Sequence, residues 1–136
     1  MTHAVSTLGM KTVLNTDFAH ALEIVTAALK TEGFGVLTEI DVQATFKNKL
    51  NVDFRPYRIL GACNPALAHR ALTATGEVGL LLPCNVTVTQ LDTGEIEVAI
   101  IDPIAMMDVM KHPDLDAIAV EARAKLQRVA DVLRSA

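Results

Sequence analysis

Aromatic residues are scarce in this chain, which has no tryptophan, one tyrosine and four phenylalanines. Single-stranded nucleic acids are held by aromatic side chains that stack on the bases within a positively charged groove. The chain also lacks a block of lysines or arginines, and its net charge at pH 7 is -4. We therefore expect no nucleic-acid partner.

Long apolar runs are absent as well. No stretch of the sequence reaches the ~18 consecutive apolar residues that indicate a membrane-spanning helix. The N-terminus does not show the basic segment followed by an apolar segment that marks a secretory signal. We expect a cytoplasmic protein that has no membrane partner.

Only two cysteines are present, Cys63 and Cys84. Their spacing fits neither a disulfide framework nor the CxxC pattern of redox and zinc sites, so both are predicted to be reduced thiols. The histidines show no paired spacing for a metal. We expect no metal site, and the sequence does not indicate which cofactor, if any, the protein uses.

The length and hydropathy bound the architecture. A chain of 136 residues has the size of one domain, so we predict a single domain over residues 1–136. Hydrophobic residues make up 51% of it, and its mean hydropathy is +0.33. This leaves apolar surface to cover, which a homo-oligomer could do.

Periodicity and turn residues predict five strands and four helices. The first helix should be capped by Asn15 or Thr16 and stopped by Gly33, and the second should be capped by Asp41. Asn64-Pro65 predicts the start of the third helix, which ends near Ala74. The strands are predicted within residues 4–14 and at 34–40, 57–63, 85–91 and 96–101, and the last helix from near Asp114. This order indicates a two-layer α+β fold, in which the helices pack on a mixed, mainly antiparallel sheet.

Two Cys-Asn motifs are the strongest candidates for a site. In Cys63-Asn64-Pro65 the thiol lies at a strand end before a helix N-terminus, where unpaired N–H groups lower a thiol pKa and attract anions. Cys63 is therefore a candidate nucleophile and Asn64 a candidate ligand-binding residue. The alternative is structural, with Cys63 as a small buried side chain and Asn64 as a helix cap.

The second motif is Pro83-Cys84-Asn85. Cys84 is the other catalytic candidate, with core packing as its alternative role. Asn85 is a candidate ligand-binding residue because asparagine is depleted in strands and its amide needs a partner. If the sheet brings Cys63 and Cys84 together, their thiols and amides could form a pocket for a small anion, a persulfide or a soft metal.

Charged residues at element ends complete the candidate site. Glu39 ends a strand, Lys49 lies on the next helix and Asp102 follows the last strand, so each is a candidate ligand-binding residue. Capping or solvated roles are the alternative for all three. Met106, Met107, Met110 and His112 could bind Cu(I), although gap-filling methionines in the core are the simpler interpretation.

Several segments resemble the bacterial and archaeal family known as domain of unknown function 302. They are GFGVLTEIDVQATFKNKL from Gly33 to Leu50, YRILGACNPALAHRAL from Tyr57 to Leu72, GLLLPCNVTV from Gly79 to Val88, and Ile101-Asp102-Pro103. The resemblance implies a compact α+β fold and a homodimer. It carries no catalytic residue over to this chain.

Three functions remain open from the sequence. The first is a module that binds a small molecule or anion around the Cys-Asn motifs. The second is a thiol enzyme, or a sensor of redox state or sulfane sulfur, that uses Cys63 and Cys84. The third is a structural or partner-binding homodimer, so the sequence leaves open whether the protein is an enzyme.

Overall fold

A computed structural model describes residues 8–136, which form five strands and five α-helices. The strands are β1 (Gly9–Leu14), β2 (Gly35–Asp41), β3 (Tyr57–Cys63), β4 (Cys84–Gln90) and β5 (Ile96–Ile101). The helices are α1 (Phe18–Thr31), α2 (Val42–Leu50), α3 (Pro65–Ala74), α4 (Pro103–Met107) and α5 (Pro113–Arg134), and short 3-10 helices span Gly76–Leu81 and Asp108–Met110. The α+β prediction is confirmed. The part of the predicted first strand at residues 4–7 lies outside the described residues.

The sheet has the order β1-β5-β4-β3-β2, and all four strand pairs are antiparallel. The expectation of a mixed sheet is therefore wrong. A parallel neighbour needs a connection that crosses back over the sheet to the other end of the strand. Here the chain leaves β2, forms α2 and re-enters the sheet as β3 at the same end of the sheet. It does the same between β3 and β4, through α3. Each of these strands therefore runs opposite to the one before it.

The core lies between one face of the sheet and the helices. Val86 and Val88 of β4 and Val98 of β5 are fully buried on that face. The long helix α5 presents Leu126 and Val129, also fully buried, to the same core. Burial of large apolar side chains on one side of a two-layer fold is its main source of stability.

Local capping residues set most helix boundaries. Asp17, rather than Asn15 or Thr16, caps α1, and its carboxylate accepts a hydrogen bond from the His20 N–H at 2.7 Å. Asp41 caps α2 as predicted, and Gly33 ends the first helix segment with a positive φ of 81°. The last helix begins at Pro113, one residue earlier than predicted.

The segment that contains Met106, Met107 and Met110 forms helical structure that periodicity does not predict. It contains α4 and the following 3-10 helix, which together are too short for a helical pattern to show in the sequence. Met107 is buried in the core, and Met106 and Met110 pack against it. The His112 Nδ1 accepts the Asp114 N–H at 3.2 Å as the cap of α5. Within residues 8–136, no helix is long and apolar enough to cross a membrane.

Candidate functional site

An apolar pocket of about 290 Å³ lies where α3 and α5 cover the end of β3 and the start of β4. Antiparallel pairing brings these strand ends together, because a strand that reverses direction starts beside the end of its neighbour. The chain between them, α3 and a 3-10 helix, folds over the same face. The wall consists mainly of hydrocarbon from Phe34, Leu37, Ala62, Leu67, Ala68, Ala71, Leu72, Leu82, Pro83, Met107, Ile118 and Ala122.

Cys63 and Cys84 both line this pocket. Cys84 pairs with Ala62 across the strands, so Cys63 is one residue beyond the pair. Cys84 is buried and Cys63 is half-buried, and both are free thiols. The pocket therefore has two sulfhydryl groups in a wall that is otherwise almost all hydrocarbon.

The two thiols differ in their environment. Burial away from water, together with the nearby Cys63, raises the pKa of Cys84 from its ordinary value of 9.0 to about 11. Cys84 is thus a neutral thiol near neutral pH and a poor nucleophile, since the thiolate is the reactive form. Of the pair, Cys63 has the greater access to solvent.

Asn64 also lines the pocket, but its amide is used within the protein. The Oδ1 atom accepts a hydrogen bond from the Leu67 N–H at 3.3 Å, which caps α3. The Nδ2 atom donates to the Glu32 carbonyl at 3.3 Å, which ties the start of α3 to the turn after α1. Asn64 therefore holds the wall of the pocket in place.

Asn85 faces away from this pocket. Successive residues of a strand point to opposite faces, so Asn85 is exposed while Cys84 and Val86 are buried. Its neighbour across the strands is Gly61. Asn85 therefore does not line this pocket, and water can solvate its exposed amide, so its role in ligand binding stays a prediction.

The charged candidates lie elsewhere. Glu39 and Asp41 both bind Arg58, at 2.5 and 3.3 Å, near the start of β3 and so at the opposite end of that strand from Cys63. Lys49 is exposed in the last turn of α2. None of these charged side chains lines the pocket.

Asp102 has a capping role at α4. Its Oδ1 accepts the Ile104 N–H at 2.9 Å, and its Oδ2 lies 3.6 Å from the Nε of Arg123. It is absent from the pocket wall as well. Within residues 8–136, no group of three or more His, Cys, Asp or Glu side chains could hold a metal ion.

The sequence did not identify Leu37 as a site residue. The pairing of β2 with β3 skips from Val36 to Thr38, so Leu37 is the extra residue of a β-bulge. A bulge bends the strand and turns its side chain, and here Leu37 lines the pocket. Neither apolar alternation nor a glycine marks this bulge in the sequence.

Gly61 permits the close approach of two strands beside the bulge. A Cβ atom at this position would collide with the Thr38 hydroxyl and would lie 2.7 Å from the Cγ of Pro83. Thr38 and Pro83 both line the pocket. The missing side chain of Gly61 therefore allows these two pocket residues to approach β3.

Comparison with known proteins identifies the family. The family model described as domain of unknown function DUF302 matches residues 10–133. This chain belongs to the DUF302 family. It is similar to the crystal structure of an uncharacterized conserved DUF302 protein from Bacillus stearothermophilus, with 31% sequence identity and a TM-score of 0.86 over 95% of this chain and 100% of that one. No curated protein matches this DUF302 chain.

Proposed function

We propose that this DUF302 domain binds a small apolar molecule in the pocket between α3, α5 and the sheet. The observation that supports this proposal most is a pocket of about 290 Å³ whose wall is almost wholly hydrocarbon. Small-molecule sites are commonly concave, mainly apolar and of roughly this size or larger. An apolar cavity of about half this volume, engineered in another protein, stays dry and binds benzene.

The lining residues give less support to an anion. No charged side chain lines the pocket, and the Asn64 amide is already bonded to Leu67 and Glu32. Moving an unpaired anion into a hydrocarbon site costs far more than the pocket can return. A neutral ligand avoids this cost and gains free energy from the apolar surface that it removes from water.

A titration with the uncharged fluorescent probe N-phenyl-1-naphthylamine tests the proposal. We expect saturable binding with one probe per chain and a rise in emission. Ala68→Leu extends a side chain from the wall into the pocket and should abolish this binding. Ala66→Leu makes the same change at an exposed position of α3 outside the wall and should leave it intact. Binding that is equal in both variants would place the probe elsewhere and refute the assignment.

Thiol chemistry at Cys63 is the second candidate function. It is supported by the placement of two free thiols on one pocket wall, where an apolar electrophile would meet them. Because Cys84 is buried with a raised pKa, Cys63 is the proposed reactive group. Cys84 would then be a neutral neighbour that contacts the same ligand.

Native-state alkylation with iodoacetamide tests this second function. The thiol that reacts loses its proton and forms a thioether as iodide leaves. We expect peptide mapping to find the label on Cys63 and to find Cys84 labelled only after denaturation. A Cys63→Ser variant should lose the native label and a Cys84→Ser variant should keep it. If Cys63 also resists alkylation until the protein unfolds, the thiol function fails.

A homodimer through the outer face of the sheet is a separate proposal. Ile40, Ile59, Thr87 and Ala99 form one row across β2, β3, β4 and β5 on the face that points away from the buried core residues. Ile40 is 50% exposed, and the other three are half-buried. Sedimentation analysis at micromolar concentration should find a dimer for the native chain and a monomer for Ile59→Glu. A native monomer at that concentration would remove the proposal.

A further inference from the structure

Two leucines extend the apolar wall of the pocket to the solvent-exposed surface of the protein. Leu37 of β2 and Leu72 of α3 both line the pocket, yet they are 68% and 45% exposed. A single exposed leucine is normal on a protein surface. These two differ because they continue the hydrocarbon wall beyond the enclosed volume.

The two leucines come from different elements and are positioned by local geometry. Leu37 is the extra residue of the β-bulge, which turns its side chain towards the pocket. Leu72 lies on α3, one helical turn after Ala68, which also lines the wall. We call Leu37 and Leu72 the rim.

The pocket is too small for a long chain but large enough for part of one. If each methylene group takes about the ~30 Å³ that a water molecule occupies in the liquid, the enclosed volume holds on the order of ten carbon atoms. A compact ligand that ended inside the pocket would leave the rim in contact with water. A longer chain would cover the rim as it leaves.

Building on the proposed function, we infer that the ligand is an amphiphile with one alkyl chain and an uncharged polar end. The inner part of the chain fills the pocket, the next part lies on Leu37 and Leu72, and the polar end lies at the surface. Thr38 supports the uncharged end. Thr38 is an exposed residue that lines the pocket next to Leu37, and its hydroxyl makes no hydrogen bond within residues 8–136.

The chain-length dependence of binding tests this inference. The probe is bound N-phenyl-1-naphthylamine, displaced by straight-chain alcohols from hexanol to tetradecanol. Affinity should rise about fourfold for each added methylene group, continue to rise past decanol while the chain covers the rim, and then level off. A plateau before decanol would overturn the inference. Decanoate should bind less tightly than decanol, and the reverse order would overturn the uncharged end.

Variants of the rim separate the two parts of the chain. Leu37→Ser should weaken dodecanol binding roughly fivefold and hexanol binding much less, because the shorter chain covers less of the rim. Leu72→Ser should act in the same way. Leu50→Ser is the matched control, because Leu50 is 65% exposed on α2 and does not line the pocket.

The outcomes distinguish this inference from the function on which it rests. If hexanol and the probe bind but neither rim variant affects dodecanol, the pocket binds apolar molecules and the rim has no part in it. Equal weakening of hexanol and dodecanol would show that Leu37 belongs to the enclosed site and would also overturn the inference. If neither the probe nor any alcohol binds, both proposals fail.

Discussion

Filling the pocket from α3 should stabilise the protein while it removes binding. Ala68 is half-buried and lines the pocket, so a leucine at this position can extend its side chain into empty volume. In a close-packed core, the same enlargement forces neighbouring side chains out of their rotamers and destabilises by roughly 1–3 kcal/mol. The sign of the change in unfolding free energy therefore reports whether the volume is empty.

The magnitude follows from the three carbon atoms that Ala68→Leu adds. At about 0.8 kcal/mol for each buried methylene-sized group, their full burial is worth about 2.4 kcal/mol. Partial exposure of the site and the lost rotamer freedom of leucine reduce this gain by about half. We expect the free energy of unfolding to increase by about 1 kcal/mol.

Urea unfolding followed by far-ultraviolet circular dichroism measures this change. The control is Ala66→Leu, which shares the helix and the propensity difference between alanine and leucine but is exposed. We expect it to change the free energy of unfolding by no more than about 0.5 kcal/mol. A loss of stability of 1 kcal/mol or more in Ala68→Leu, relative to this control, would mean that the pocket is already filled by side chains.

Three further predictions concern the residues that shape the pocket. The pKa of Cys84 rises from 9.0 to about 11 on folding, which means that the folded state holds this proton more tightly than the unfolded state does. The free energy of unfolding is therefore up to about 3 kcal/mol higher below pH ~9, and this difference is lost as the pH rises through about 11. The free energies of unfolding of wild type and Cys84→Ala, measured in urea, should therefore differ by an amount that decreases between about pH 8 and pH 11. A difference that stays constant over this range would contradict the raised pKa. Gly61→Ala should lower the free energy of unfolding by roughly 1–3 kcal/mol, because the added methyl group collides with Thr38 and Pro83; an unchanged urea midpoint would contradict this close approach. Asn64→Ala should cost about 1 kcal/mol through the lost cap of α3, as measured by thermal unfolding, and the capping role fails if stability is unchanged.

Local signals in the sequence predicted the elements around the pocket well. The strand over residues 57–63 and the helix that begins at Pro65 were predicted to the residue, because Asn64 is a favoured cap and Pro65 fits the first helical turn. The predicted hairpin also formed, with its first strand displaced by one residue. These boundaries depend on residues close together in the chain, which is the information that a sequence pattern contains.

The shape of the site depends on contacts that such patterns do not contain. The meeting of Cys63 and Cys84 requires β3 and β4 to be antiparallel neighbours, and the strand order alone decides this. Ile118 and Ala122 reach the wall from α5, which is distant in the chain. Leu37 reaches it through a bulge whose position depends on pairing with β3.

The orientation of Asn85 could have been predicted. Val86 and Val88 indicate the buried face of β4, and simple alternation then places Asn85 on the other face. The charged candidates Glu39 and Asp102 likewise satisfy local structural roles, one in an ion pair with Arg58 and the other as a helix cap. Residues at element ends serve capping roles often enough that their position alone does not indicate a ligand site.

The most direct test of the apolar pocket is chemical-shift mapping of the ¹⁵N-labelled full chain titrated with decanol. We predict saturable shifts of the amides in α3, at the ends of β3 and β4 and around Leu37, with little change on the outer row of Ile40, Ile59 and Thr87. Saturable shifts confined to that outer row, or no saturable shifts anywhere, would contradict the central claim.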